Sequence, residues 1–101
     1  MNKVGIDITS ISRFLNKNDE FAKRILSSEE FKEYQTINNK SKYLATRWAI
    51  KEAIFKADNT FNTFSNINIK KDHKYHFKNF DISTSSEGDL VIAMAIKFKE
   101  K

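Results

Sequence analysis

The sequence predicts an α+β fold: one small domain over residues 1–101, with a long helix packed on an antiparallel sheet. Three observations predict it. An alternating segment opens the chain at Val4 to Ile8, a helical pattern runs from Lys42 to Ala57, and two alternating segments flank Gly88. Strand, then helices, then strands is the order that separates the two element types into layers.

Val4 to Ile8 reads as a short strand in which Asp7 stands between two isoleucines. Ile11, Phe14 and Leu15 have helical spacing, with Ser10 as the expected cap. A second short helix begins at Asp19, with Phe21, Ala22 and Ile25 on one side. Ser27-Ser28-Glu29-Glu30 is a capping-box pattern that opens a helix through Phe31 and Tyr34. Asn38-Asn39-Lys40 reads as a loop, and Ser41 is the expected cap of the long helix. In that helix Leu44, Trp48, Glu52 and Phe55 share a stripe, while Ala45, Ala49 and Ala53 beside it leave room for close packing. Asp58 to Asn66 reads as a loop, Ile67 and Ile69 as part of a strand, and Phe80 to Thr84 as another. Glu87-Gly88-Asp89 is a turn signal before a last strand, Leu90 to Phe98, which makes a hairpin.

Hydrophobic residues make up 40% and charged residues 31%, as in a globular chain. No apolar run is long enough to span a bilayer, and Met1 to Asp7 lacks the pattern of a secretory leader, so a cytoplasmic location with no membrane partner is expected. There is no cysteine, which excludes disulfides and thiolate metal sites. His73 and His76 sit in a Lys-rich, loop-like stretch and make a poor zinc site. The net charge of +5 favours an acidic partner: a nucleic acid, a phosphorylated small molecule, an anionic membrane or an acidic protein.

Two carboxylates stand out. Glu52 shares the apolar stripe of the long helix, where an uncompensated charge is costly. It can also be read as an edge residue paired with Lys56 one turn on. Asp7 lies in a strand, where aspartate is depleted, and can also be read as a solvent-facing strand end or a helix cap. Together they could hold a hard cation such as magnesium, which takes oxygen ligands from one or two carboxylates, water and substrate phosphates. Arg47, Lys51 and Lys56 on the same helix would suit a polyanionic substrate; a solvated helix face is the plainer reading of the first two.

Gly5-Ile6-Asp7-Ile8, then Phe21-Ala22-Lys23-Arg24-Ile25-Leu26, then Arg47-Trp48-Ala49-Ile50-Lys51-Glu52-Ala53-Ile54-Phe55-Lys56-Ala57 resembles the holo-acyl-carrier-protein synthases, the small bacterial class of phosphopantetheinyl transferases. The resemblance implies an α+β fold, a homotrimer with active sites between subunits, and phosphopantetheine transfer from coenzyme A to a serine of an apo acyl carrier protein, in support of lipid biosynthesis. It makes Asp7 and Glu52 the Mg2+ ligands and Lys56 the residue that helps the leaving group depart. Glu52, or a metal-bound water near it, is the candidate base. Arg47, Lys51, Lys56, Ser83 and Ser85 are expected at coenzyme A, and Arg13 and Arg24 at the carrier protein.

The chain departs from the family pattern in places. Thr9 stands where larger relatives carry an acidic residue. Asp58-Asn59-Thr60 replaces a glycine-containing loop, and Ser86 closes Ser83-Thr84-Ser85-Ser86 where a histidine is usual. These departures leave a degenerate module that binds coenzyme A or a carrier protein as an alternative. A small basic nucleic-acid-binding domain with Phe side chains displayed on a sheet is another, although no nucleic-acid motif is present.

Overall fold

The computed structural model describes residues 3–99; residues 1, 2, 100 and 101, which the leader and single-domain readings include, lie outside it. The chain runs β1 (Lys3–Ser10), a 3-10 turn (Ile11–Phe14), α1 (Asp19–Ile25), α2 (Ser28–Tyr34), α3 (Lys40–Ala57), a 3-10 turn (Phe64–Asn66), β2 (Lys70–Lys71), β3 (Tyr75–Phe77), β4 (Phe80–Glu87) and β5 (Leu90–Lys97). The sheet order is β1-β5-β4-β3-β2, every neighbour antiparallel. The α+β expectation holds, and α3 packs on β1 and β5.

The alternation of β1 is real, but its faces are the reverse of the usual ones. Val4, Ile6 and Ile8 point outward and are 60%, 60% and 56% exposed, while Gly5 and Thr9 are buried and Asp7 is half-buried. The reason lies in α3. Ala45, Ala49, Ala53 and Ala57 face Gly5, Ala93 and Ala95 in the core, so helix and sheet approach closely and only small side chains fit between them. Leu44, Ile50 and Ile54 fill the rest of that layer, each contributing roughly 1.5–3 kcal/mol by burial.

Local chemistry differs from the sequence expectations at several ends. Ser10 makes no capping bond. Asp89 of the β4–β5 turn supplies it from a distance: its Oδ1 accepts from the Ser12 amide at 3.0 Å, and its Oδ2 from the Ser12 hydroxyl at 2.7 Å. The segment is a single 3-10 turn that buries Phe14 and leaves Leu15 54% exposed. Asn39, not Ser41, caps α3, accepting from the Lys42 amide at 3.1 Å. The Ser27 to Glu30 capping box forms as expected. Gly88 has φ 59° in the two-residue turn joining β4 to β5, which glycine adopts freely.

Ile67 and Ile69 are buried in the core but lie ahead of β2 rather than inside a strand. The stripe of Leu44, Trp48, Glu52 and Phe55 is not the centre of the buried face: Leu44 is buried, whereas the other three are half-buried along its border. All the phenylalanines but Phe55 and the exposed Phe98 belong to the core or pack against it. Phe61, Phe77 and Phe80 pack on one another with centroids 5.3–5.9 Å apart, so Phe77 and Phe80 do not form an open stacking platform. Among the described residues no helix is long and apolar enough to cross a membrane.

Candidate active site

Gly5 sets the geometry of the site. A Cβ there would lie 1.9 Å from the Ala53 carbonyl oxygen, so only glycine lets α3 seat on β1. The residue just before Ala53 on α3 is Glu52, and Asp7 follows Gly5 on the same inner face of β1. The two carboxylates therefore meet in one helix–strand seam.

Burial first, and then the Asp7 charge, push the Glu52 carboxyl above its ordinary range; Lys56 and Arg13 pull it partly back. Lys56 Nζ donates to Asp7 Oδ1 at 3.1 Å and to the Ile6 carbonyl at 2.9 Å. Asp7 Oδ2 is buried and has no partner, an arrangement that is costly unless something else fills it. Arg13 stands at the edge: its Nη1 donates to Thr9 Oγ1 at 2.9 Å, and its guanidinium lies 5.5 Å from the Phe14 ring and 5.7 Å from that of Trp48. An open cleft of about 410 Å³ is lined by Ile6, Asp7, Ile8, Lys56 and Ile92.

A divalent cation fits these residues. Two carboxylates share the seam, one oxygen is orphaned, and Lys56 bonds Asp7 while its charge reaches Glu52. Among the described residues no group of three His, Cys, Asp or Glu side chains gathers, so the remaining ligands would be water and substrate oxygens, as magnesium prefers.

Arg47 and Lys51 have a different task from the phosphate contacts expected of them. Lys51 is fully buried, and its ammonium donates to Glu30 Oε1 at 2.5 Å and to the carbonyls of Ile25 and Phe64 at 2.7 and 2.9 Å. All three N–H groups are thereby used. Arg47 is buried too, paired with Glu30 at 3.1 Å and Glu33 at 3.3 Å. Glu30 also accepts from the amides of Ser27 and Ile69, so it ties the ends of α1 and α2 to α3 and to the approach to β2. The sequence marked Glu30 only as a capping residue; nothing local showed that it would receive two cations from α3.

Arg24 is exposed near the end of α1. Ser83 and Ser85 pair with Met94 and Ile92 on the outer face of the sheet, away from the Asp7–Glu52 seam within one chain. Ser86 is exposed next to the β4–β5 turn. Asp58 replaces the expected glycine with a defined turn: it accepts from the Thr60 amide and hydroxyl and from Lys97, which hold its carboxyl well below the usual range. His76 bonds Asp72 at 2.7 Å in the β2–β3 hairpin.

The sequence pattern of the 4'-phosphopantetheinyl transferase superfamily matches residues 3–95. The holo-[acyl-carrier-protein] synthase of Mycoplasma mobile is 61% identical over 101 residues, covering 100% of this chain and 92% of that protein. The chain belongs to the 4'-phosphopantetheinyl transferase superfamily. It is an enzyme of the phosphopantetheinyl transferase class. Solved members share its architecture. Holo-[acyl-carrier-protein] synthase from Neisseria meningitidis superposes with TM-score 0.78 at 30% identity, covering 96% of this chain and 98% of that one. The Bacillus anthracis holo-(acyl-carrier-protein) synthase, in complex with CoA (3',5'-ADP), has the same fold, with TM-score 0.81 at 23% identity over 93% of each chain. In this superfamily member the motif residues Asp7, Glu52 and Lys56 converge in one seam, and the motif residues Arg47 and Lys51 brace the helix that carries Glu52.

Proposed function

We propose that this protein moves the 4'-phosphopantetheine group of coenzyme A onto a serine of an apo acyl carrier protein, releasing adenosine 3',5'-bisphosphate, with Mg2+ bound by Asp7 and Glu52. The observation that carries the reading is the orphaned Asp7 Oδ2 beside a Glu52 whose carboxyl is pushed up. Asp7 and Glu52 would hold the magnesium, which would supply Lewis acidity to the pyrophosphate. Glu52, or a metal-bound water near it, would accept the proton of the serine hydroxyl. The serine oxygen forms a bond to the pantetheine-side phosphorus, and the bond to the nucleotide-side oxygen breaks. Lys56, half-exposed at the cleft, stabilises the charge that builds on the departing bisphosphate.

Exposed Arg13 and Arg24 would orient the acidic carrier through charge. A homotrimer with sites between subunits is supported by the outer sheet face, where Val4, Ile6 and Ile8 of β1 adjoin Ile92 and Met94 of β5, all open to solvent in one chain. In that assembly the outer-face Ser83 and Ser85 could serve a neighbour's coenzyme A. The same reading puts the reaction in the cytoplasm.

The test is to incubate the protein with coenzyme A, Mg2+ and an apo acyl carrier protein and weigh the carrier by mass spectrometry. A gain of one phosphopantetheine that needs both metal and Glu52, lost in Glu52→Gln, supports the reading. An unchanged carrier, with coenzyme A binding shown separately, overturns it in favour of a binding module.

A further inference from the structure

Thr9 occupies the position where larger relatives carry an acid, and the structure gives it other work. Its side chain lies on the inner face of β1 with that of Asp7, two residues away. The residue is 4% exposed. Its Oγ1 is the side-chain acceptor that holds Arg13 Nη1, at 2.9 Å. The Arg13 guanidinium then rests 5.7 Å from the ring of Trp48, which precedes Glu52 by one turn of α3. One arginine thus spans β1 and α3 at the end of the seam that holds the two carboxylates. A free arginine side chain has many rotamers and loses their entropy on docking; one already bonded and stacked has lost most of it beforehand. The charge reaches Glu52 as well, because Arg13 is among the groups that lower its carboxyl.

We propose that Thr9 is a positioning residue: its buried hydroxyl fixes Arg13 at the mouth of the Asp7–Glu52 seam, so that an acidic carrier docks against a preset cation beside the reacting centre. The inference rests on the reading of Arg13 as a carrier contact. Thr9 supplies direction, Arg13 supplies charge, and the two contributions separate experimentally.

The experiment is steady-state transfer to an apo acyl carrier protein by Thr9→Val, Thr9→Ser and Arg13→Gln at low and high salt, with the melting temperature of each variant recorded. Thr9→Val is expected to raise KM for the carrier about tenfold, the scale of one lost hydrogen bond to a charged group. Its kcat, its KM for coenzyme A and the salt dependence of KM stay near wild type, since the Arg13 charge remains. Thr9→Ser, which keeps the hydroxyl, restores KM. Arg13→Gln raises KM and flattens its salt dependence. A wild-type KM in Thr9→Val beside a raised KM in Arg13→Gln overturns the role of Thr9 and leaves Arg13 as a carrier contact. A wild-type KM in both overturns the Arg13 reading and the inference with it. A fall in kcat and a rise in both KM values, with a lowered melting temperature that Thr9→Ser shares, shows a purely structural hydroxyl and overturns the inference as well.

Discussion

Gly5 and the carbonyl of Ala53 touch so closely that a single methyl group on Gly5 would begin 1.9 Å from the Ala53 oxygen. The obstacle is helix backbone, which cannot swing aside as a side chain can. Gly5→Ala is therefore expected to lift α3 from β1, costing about 1–3 kcal/mol in a denaturant titration. It is also expected to weaken Mg2+ binding measured by calorimetry, because Asp7 and Glu52 sit on the two surfaces being separated. Equal metal affinity in the variant would show that the seam does not depend on this contact.

The Glu52 carboxyl leads to a pH prediction. Its pKa is raised above the ordinary 4.5 in the folded, metal-free protein, so the folded state holds that proton more tightly than the unfolded chain. This contributes stability that is present below pH 4.5 and lost as pH climbs through the raised value. Metal needs the ionised form, so the rise in melting temperature on adding Mg2+ should grow over the same climb. Asp7→Asn removes one of the causes of the shift and one of the two carboxylate ligands, so the rise on adding Mg2+ should shrink at every pH.

The buried pair of Lys51 and Glu30 gives a stability test. Glu30→Gln leaves Lys51 in the interior without a carboxylate and Arg47 with Glu33 alone, and should cost about 3–5 kcal/mol by urea unfolding. Adding Lys51→Met to that variant removes one stranded charge and should recover part of the loss. If the double variant lost the sum of the two single losses, the pair would not be coupled.

Asp58 behaves in the opposite sense to Glu52. Lys97 and Thr60 hold its carboxyl below the ordinary 3.8, so its contribution is present above that pH and is lost as pH falls through the folded value. Asp58→Asn should cost about 1–3 kcal/mol at neutral pH. It should also flatten the decline of melting temperature below pH 4 that is expected of the wild type.

The outer face of β1 predicts an assembly effect. Ile6 is 60% exposed and pairs in register with Met94 on an apolar surface. Ile6→Lys places a charge in the middle of that surface and is expected to lower the assembled mass seen by light scattering. An unchanged mass would place the subunit contact elsewhere.

Much of the site was legible because its signals are local. Asp7 between isoleucines and Glu52 on an apolar helix each broke a pattern, and the motifs around them matched one family. Lys51 and Arg47 were misread for a physical reason: a lysine on a helix looks alike whether it faces water or a carboxylate from another helix. Glu30, which decides the matter for both, is 21 residues from Lys51 in the chain. The caps were misplaced in the same way. Asp89 serves the turn at Ser12 from 77 residues away.

The sequence by itself determined β1, the three α-helices and the β4–β5 hairpin, with their order, because periodicity and residue chemistry act over a few neighbouring positions. Only the tertiary structure decided which face of β1 turns inward. Alternation is symmetric between the two faces of a strand, and the choice fell to the close approach of Ala53 on Gly5. That contact leaves three large apolar side chains in solvent and brings Asp7, a residue poorly suited to burial, against Glu52.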